Sequence, residues 1–237
     1  MDPKERLIVA LDVDTKERAL LLIDKLKGDV KYFKIGFELF SSCGPSIVKD
    51  ALARGCRIFL DLKYHDIPNT VSKAAVSATK LGVFMFNVHA LGGYDMMNRT
   101  ADAVRQEADK LKIERPKVIA VTILTSMDEA ALKRVGVSDS MNDEVLRLAQ
   151  LAKEAGLDGV VASPSETKLL RKEIGQDFLI ITPGVRPEWA ATGDQKRIAT
   201  PAQAVGDGAS FIVVGRPITD AADQADAAKK ILKEITI

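Results

Sequence analysis

Cysteine and histidine are scarce in this chain, which has two of each among 237 residues. Cys43 and Cys56 form neither a CxxC pair nor a wider spacing of the metal-binding type. His65 and His89 cannot by themselves complete a tetrahedral zinc site. We therefore expect reduced structural thiols and no metal site.

Long apolar runs and an excess of either charge sign are also missing. Apolar stretches such as residues 7–11 and 19–23 are far shorter than the about 20 apolar residues that span a bilayer. The first residues lack the apolar core and cleavage site of a signal peptide. Because 34 Lys and Arg nearly balance 33 Asp and Glu, little positive field is left to attract a phosphate backbone. We expect a cytoplasmic protein without a membrane or nucleic-acid partner.

Short β-branched or apolar runs recur along the chain, and each is followed by a segment with helical spacing such as Ala19, Leu22, Ile23 and Leu26. This alternation is typical of repeated βα units on a parallel sheet. The eight runs are residues 7–12, 32–36, 58–63, 83–89, 118–124, 159–162, 178–182 and 211–215.

Eight units of about thirty residues each match the dimensions of a (β/α)8 TIM barrel. A doubly wound open sheet would usually have fewer strands and a glycine-rich phosphate motif, and neither GxGxxG nor GxxxxGK[ST] occurs. The sequence therefore predicts an α/β fold, a (β/α)8 TIM barrel in which residues 1–237 form a single domain. The stretch from Pro183 to Ala199 has no clear periodicity, and such loops are more often functional than idle.

The third run, residues 58–63, carries charged residues at the end where barrel enzymes place their active sites. Since side chains alternate along a strand, Asp61 and Lys63 share one face while Leu60 and Leu62 share the other. The leucines suit the helix layer, so we expect Asp61 and Lys63 to point into the barrel mouth.

Two more charges come from the preceding runs, because the first ends in Asp12 and the second contains Lys34. Each residue alone is more typical of an ion pair at a barrel rim. Four alternating charges on three neighbouring strands are harder to explain by stability, because apolar replacement of such networks is often neutral or stabilising. We call Asp12, Lys34, Asp61 and Lys63 the charged quartet, and predict that it has a task other than stability.

A phosphate site is predicted after the last two runs, where such barrels commonly bind phosphate. Arg216 follows Gly215 and precedes Pro217, and Arg186 and Gln195 lie in the loop after the seventh run. A guanidinium offers phosphate a bidentate fork. The alternative is a plain turn with proline at a helix start. We expect these loops to lie across the closed barrel from the quartet.

Two further features carry weaker signals. His89 ends the fourth run, and we expect it to be bonded to a carboxylate of a neighbouring strand without a role in the chemistry. Thr125 and Ser126 could bind a ligand amide or carbonyl, although both residue types are also ordinary caps and turn residues.

The segment Asp61-Leu62-Lys63-Tyr64-His65-Asp66-Ile67-Pro68-Asn69-Thr70 resembles the signature of the orotidine 5'-phosphate decarboxylase family in its bacterial form. Its DxKxxD part is shared with sugar-phosphate decarboxylases and aldolases of the same barrel suprafamily, and the continuation over residues 67–70 makes the match specific. Further matching segments are residues 7–12, 34–36, 121–126, 182–186 and 213–218.

The resemblance implies a cofactor-free decarboxylation of orotidine 5'-phosphate to uridine 5'-phosphate, the last step of de novo pyrimidine synthesis, in a homodimer with shared active sites. It implies that Lys63 donates a proton to C6 beside Asp61. Lys34 and the partner chain's Asp66 are implied to complete the charged network.

The resemblance also implies the substrate contacts. Asp12 and Lys34 would hold the ribose hydroxyls, and Ile67 and Thr70 would approach the neighbouring subunit's site. The pyrimidine is assigned to Thr125 and Ser126. The implied phosphate ligands are Arg186, Gln195, Gly215 and Arg216.

Two other functions fit parts of the pattern. One is a metal-dependent sugar-phosphate decarboxylase or aldolase that uses the same DxKxxD frame, and loss of activity with EDTA would favour it. The other is a non-catalytic barrel that binds a phosphate ligand, for which tight nucleotide binding without release of carbon dioxide would be the evidence.

Overall fold

Eight short strands form where the sequence predicts them, and they close into a parallel barrel in the order β1 to β8. A computed structural model describes residues 5–190 and 199–236. The strands are β1 Leu7–Ala10, β2 Tyr32–Ile35, β3 Arg57–Tyr64, β4 Met85–His89, β5 Lys117–Val121, β6 Gly159–Val161, β7 Leu179–Thr182 and β8 Phe211–Val214. The predicted (β/α)8 barrel is confirmed, while the single-domain assignment of residues 1–237 stays a prediction.

Two strands end at least two residues earlier than their apolar runs suggest. The first run extends to Asp12 but β1 ends at Ala10, and the fifth extends to Leu124 but β5 ends at Val121. Some residues beyond the strand ends stay buried, since Leu11 is fully buried and Ile123 is 3% exposed, whereas Asp12 and Leu124 are exposed. Burial continues into the barrel mouth after the ladder pairing stops, so hydrophobicity alone overestimates the strand lengths.

Side-chain alternation along the strands separates two apolar layers. One layer fills the barrel interior, and its members include Ile8, Tyr32, Phe59, Met85 and Phe211. The other, larger layer lies between the strands and the helices and includes Leu7, Val9, Phe33, Ile58 and Leu60. The interior is therefore a packed core, and a cavity opens beyond it at the carboxyl ends of the strands.

Helices follow the strands and cover the outside of the barrel. They are α1 Lys16–Leu26, α2 Phe37–Cys43, α3 Ser46–Leu52, α4 Pro68–Leu81, α5 Gly93–Leu111, α6 Glu129–Arg134, α7 Met141–Glu154, α8 Pro164–Ile174, α9 Pro201–Gly206, α10 Arg216–Thr219 and α11 Gln224–Glu234. Ala19, Leu22, Ile23 and Leu26 form the buried face of α1, as their spacing predicts. Among the described residues, no helix has both the length and the apolar content needed to cross a membrane.

Local sequence signals explain where several helices begin. The hydroxyl of Thr15 accepts a hydrogen bond from the backbone N–H of Arg18 at the start of α1. Ser163 and Glu166 form a capping box at the start of α8, which satisfies two backbone donors of the first turn. Each of these caps ends a connection from a strand, so it also fixes where the barrel-mouth loop stops.

Candidate active site

A cavity of about 330 Å³ opens at the carboxyl ends of the strands. One group of polar side chains in its wall comes from the first four strands or the residues shortly after them, namely Asp12, Lys34, Asp61, Lys63 and Asn87. Each continues the inward face of its strand, for example Asp61 two residues after the core residue Phe59. The predicted charged quartet is therefore brought together in one cavity.

Ion pairs join the quartet in a continuous chain. Lys34 Nζ lies 2.8 Å from Asp12 Oδ1 and 3.2 Å from Asp61 Oδ2. The other carboxylate oxygen of Asp61, Oδ1, lies 2.8 Å from Lys63 Nζ. Lys34 and Asp61 are 9% and 8% exposed, whereas the side chains of Lys63 and Asp12 reach further into the open mouth. Buried charges persist when they are paired in this way.

For both Lys34 and Asp61, the combined effect of the ion pairs on the pKa outweighs the effect of burial. Burial alone would lower the pKa of Lys34, but the carboxylates of Asp61 and Asp12 raise it above its ordinary value. Burial would likewise raise the pKa of Asp61, yet Lys34 and Lys63, with hydrogen bonds from Lys63 and Asn87, hold that pKa below its ordinary range. Both groups are therefore charged at neutral pH.

Gly36, directly after β2, leaves room for this arrangement. A Cβ atom added to Gly36 would lie 2.9 Å from Lys34 Nζ and 3.3 Å from Asp12 Oδ1. Any side chain there would push the ammonium group away from its carboxylate. The glycine therefore permits the contact between Lys34 and Asp12.

The end of β3 departs from regular strand geometry. Leu60 pairs with Phe86 and Tyr64 with Val88, so β3 advances by four residues over the stretch in which β4 advances by two. Lys63 has a φ of 43°, a left-handed conformation that is uncommon outside glycine. Simple alternation predicts that Lys63 faces the mouth with Asp61, and Lys63 does line the cavity. It does so through an irregular backbone that alternation does not predict.

Asn87 on β4 is a site residue that the sequence reasoning missed. Its Nδ2 donates a 2.7 Å hydrogen bond to Asp61 Oδ1, and its Oδ1 accepts a 2.8 Å bond from the backbone N–H of Lys63. Asn87 is 1% exposed. A signal was present, because an amide between apolar neighbours at an inward strand position needs partners there.

The other strands present apolar side chains to the cavity, namely Val121, Val161, Ile181 and Val213. Arg186 lines the cavity from the loop after β7, and Arg216 lines it from the start of α10, directly after Gly215. Gly184, at φ 79°, provides the left-handed turn that leads to Arg186. Thr125, after β5, also lines the cavity.

The sequence predicts that the segments carrying Arg186 and Arg216 lie across the barrel from all four quartet residues. This prediction is wrong. Closure of the sheet pairs β8 with β1, and a Cβ atom on Gly215 would lie 3.8 Å from Asp12 Oδ2. Such a Cβ would meet the protein only at ordinary contact distances. The Arg216 loop thus lies beside Asp12, while Lys63 on β3 is three strands away from β8 around the ring.

Several predicted site residues do not line this cavity. Asp66, Ile67 and Thr70 are exposed at the start of α4, and Asp66 Oδ1 accepts a 2.7 Å hydrogen bond from the backbone N–H of Ile67. Ser126 is exposed next to Thr125. Gln195 lies outside the described residues. The assigned roles of all these residues stay predictions.

The expected bond between His89 and a neighbouring carboxylate is wrong. His89 Nδ1 is buried and has no hydrogen-bond partner among the described residues. The ring instead packs against His65, with 5.3 Å between the ring centroids. Burial, followed by the positive fields of His65 and Lys63, lowers the pKa of His89 to about 4. His89 is therefore neutral at physiological pH.

The side chains of the cavity that could ligate a metal are carboxylates, and these carboxylates already contact lysine ammonium groups. Asp12 and Asp61 both contact Lys34, and Asp61 also contacts Lys63. Within residues 5–190 and 199–236, no three His, Cys, Asp or Glu side chains come together as metal ligands. The arrangement therefore presents two ammonium groups, each paired with a carboxylate, next to an apolar wall to whatever occupies the cavity.

Comparison with known proteins agrees with this geometry. The sequence model of the Orotidine 5'-phosphate decarboxylase / HUMPS family matches residues 5–231. Orotidine 5'-phosphate decarboxylase of Syntrophomonas wolfei is 49% identical over 237 residues, which is 99% of each chain. The Geobacter sulfurreducens protein of that name is 51% identical over 98% of this chain and 96% of its own.

Solved structures give the same result. The crystal structure of orotidine 5'-phosphate decarboxylase from Lactobacillus acidophilus superposes with a TM-score of 0.88 at 42% identity, covering 98% of this chain and all of that one. An uncharacterized conserved protein from Geobacillus kaustophilus superposes with a TM-score of 0.86 at 35% identity. With a full-length sequence match, the same barrel and the charged mouth, this chain belongs to the orotidine 5'-phosphate decarboxylase family.

Proposed function

We propose that the protein decarboxylates orotidine 5'-phosphate to uridine 5'-phosphate and carbon dioxide, as a cytoplasmic enzyme of de novo pyrimidine synthesis. The observation that carries the proposal is the chain of ion pairs from Asp12 through Lys34 and Asp61 to Lys63, set in one cavity with two arginine loops. Relatives about half identical over nearly the whole chain bear the name of this activity.

The chemistry calls for a fixed positive charge at C6. When the bond between C6 and the carboxylate breaks, the electron pair stays on C6 in the ring plane, where the ring π-system cannot delocalise it. Lys63 lies in the more open part of the charged chain, so its ammonium stabilises the developing carbanion and then transfers a proton to C6. Lys63 is left neutral and regains a proton from solvent. No oxidant or reductant is needed.

One lysine is not enough to account for the rate of an enzyme. A charge pair at 4 Å is worth about 4 kcal/mol at an effective dielectric constant near 20, whereas enzymatic accelerations correspond to about 8–23 kcal/mol. Lys34 and Asp61 contribute by holding Lys63 in place before the substrate arrives. The remainder comes from binding the phosphate and ribose, whose interaction energy is used in the transition state.

The remaining residues are proposed to bind the parts of the nucleotide. Asp12 and Lys34 hold the ribose hydroxyls, and Thr125 and Ser126 meet the pyrimidine. The phosphate ligands are Arg186, Gln195, Gly215 and Arg216. The apolar side chains from β5 to β8 support the assignment of the pyrimidine, because they exclude water from the ring and strengthen the nearby charges.

A homodimer with shared sites completes the proposal. Exposed apolar side chains follow β2, β3 and β4, among them Phe37 at 56%, Ile67 at 66% and Leu91 at 49%. Lys63 Nζ lies 5.6 Å from the centre of the Phe37 ring, so this surface borders the charged quartet. A second copy seated here would bring Asp66, Ile67 and Thr70 of the partner subunit to the cavity.

A single assay tests the reaction. Purified protein is mixed with orotidine 5'-phosphate in the presence of EDTA, and the loss of ultraviolet absorbance and the release of carbon dioxide are followed together. We expect both signals at equal rates. Activity that disappears with EDTA would identify the metal-dependent decarboxylase or aldolase instead, and nucleotide binding without carbon dioxide would identify a non-catalytic binding barrel.

A further inference from the structure

We infer that Asn87 is a positioning residue that holds Lys63 and Asp61 in their working geometry. Asn87 touches none of the atoms that the proposed reaction changes, so its role is to act through its two neighbours. The inference rests on the proposed decarboxylation for its kinetic consequences. The structural part of the inference, that Asn87 holds Lys63 and Asp61 in place, depends on the hydrogen bonds of Asn87 and not on the reaction.

The first part of the argument is the backbone of Lys63. The register between β3 and β4 shifts by two residues between Leu60 and Tyr64, so the regular ladder is interrupted there. The Lys63 N–H instead donates 2.8 Å to Asn87 Oδ1, and Lys63 adopts a φ of 43°. A left-handed residue other than glycine is strained and persists only where its surroundings hold it. The Asn87 carbonyl is the contact that holds it.

The second part is the orientation of Asp61. Asp61 Oδ1 receives hydrogen bonds from Lys63 Nζ at 2.8 Å and from Asn87 Nδ2 at 2.7 Å. Lys34 lies on the other oxygen at 3.2 Å. Without Asn87, the partners of this carboxylate among the described residues are two flexible ammonium groups, which do not fix its rotation. The amide supplies a rigid donor from the neighbouring strand.

An amide fits both tasks because it carries a donor and an acceptor without charge. The two bonds link the backbone and the side-chain anchor of the same lysine, since Asp61 also binds Lys63 Nζ. Asn87 therefore holds the backbone of Lys63 directly and its ammonium group through Asp61. A small change here displaces the ammonium from C6 while the phosphate loops stay intact.

Two isosteric variants separate the two bonds. Asn87→Leu removes both of them, whereas Asn87→Asp keeps an acceptor for the Lys63 N–H but loses the donor to Asp61 and adds a charge. Thr79→Val is the matched control, because it removes a buried hydroxyl whose 2.9 Å bond to the Ala75 carbonyl lies within α4 and outside the cavity. Thermal unfolding of all three shows how much stability each change costs.

We expect kcat to fall about 100-fold in both Asn87 variants, as misplacement by about 1 Å can cost, with KM for orotidine 5'-phosphate changed by less than about fivefold. Thr79→Val should keep the wild-type kcat. A crystal structure of Asn87→Leu should show Lys63 out of the left-handed region, and that of Asn87→Asp should show it retained. If Asn87→Leu does not fold, the kinetics and structure of Asn87→Asp decide.

The inference is overturned if either Asn87 variant keeps kcat within about threefold of Thr79→Val, or if KM rises while kcat is kept. Inactivity of the wild-type protein would refute the proposed function instead. In that case the structures decide on Asn87: a Leu variant in which Lys63 keeps its positive φ and its contact with Asp61 overturns the inference, and a displaced Lys63 supports it.

Discussion

The two halves of the barrel mouth are built on different principles. The inward ends of β1 to β4 carry Asp12, Lys34, Asp61 and Asn87, each bonded to another member of the group. The inward ends of β5 to β8 carry valine and isoleucine, and the arginines come from loops beyond the strands. Charge is thus paired at the strand ends in one half, whereas in the other it is carried beyond the strands, on the loop after β7 and on the first residue of α10.

This difference indicates how the proposed reaction is divided. Rigid, mutually paired charges suit a group that must stabilise a carbanion at a fixed point without reorganising. Guanidinium groups placed beyond the strand ends can offer a phosphate bidentate hydrogen bonds. The apolar wall between them lowers the local dielectric constant for both. Four experiments test whether the halves have these separate tasks.

The largest effect is expected from Lys63→Ala in the charged half. Loss of the proton donor and of its charge should lower kcat by more than about 1000-fold, because Lys63 supplies both acid catalysis and electrostatic stabilisation. Steady-state kinetics measure the effect, and Lys110→Ala on the exposed face of α5 is the control. Activity within about tenfold of the wild type would refute the role of Lys63.

Mixing two inactive dimers tests whether the charged half is completed by the partner subunit. Lys63→Ala and Asp66→Asn homodimers should each be nearly inactive, since every site lacks one charged group. After random exchange of equal amounts, half of the dimers are mixed and each contains one intact site, so activity should approach roughly a quarter of wild type. A mass tag on one chain establishes that exchange is complete.

The contrary result of this experiment is equally definite. If exchange is complete and the mixture remains as inactive as its parents, Asp66 serves the site of its own chain. The charged half would then be self-contained, and the exposed apolar side chains around Ile67 would need another explanation.

In the half formed by β5 to β8, Arg216→Ala should weaken the phosphate contact. We expect kcat/KM for orotidine 5'-phosphate to fall by about 100-fold, the value of a strong charge-assisted hydrogen-bonded pair, and that for the nucleoside orotidine to stay nearly unchanged. Arg134→Ala, an exposed arginine of α6, controls for net charge. Equal losses for both substrates would mean that Arg216 is structural.

The same two halves show what the sequence can and cannot predict. Strand-end charges such as Asp61 were found because alternation and apolar runs depend on neighbours in the chain. Asn87 was missed because its partners are 24 and 26 residues away and meet it only through the irregular end of β3. The placement of the Arg216 loop was wrong because barrel closure brings β8 beside β1. His89 also depends on tertiary packing, against His65.

The smallest effect concerns His89, at the end of β4, where the charged half gives way to the apolar half. Because its pKa is lowered to about 4 in the folded protein, the unfolded chain binds its proton first as the pH falls from 7. Stability contributed by neutral His89 is therefore present above about pH 6.5 and declines toward pH 4.

Chemical denaturation of wild type and His89→Gln at fixed protein concentration measures this contribution of His89 to the free energy of unfolding. The ring is half-buried, so solvent screening reduces the full effect, and we expect wild type to lose about 1 kcal/mol more unfolding free energy than the variant between pH 7 and pH 5. His65→Gln should reduce that loss in part, since the positive field of His65 helps to lower the pKa of His89. Parallel pH dependences in wild type and His89→Gln would show that His89 takes up protons equally in the folded and unfolded states. The boundary between the two halves would then be more open to solvent than the buried Nδ1 atom indicates.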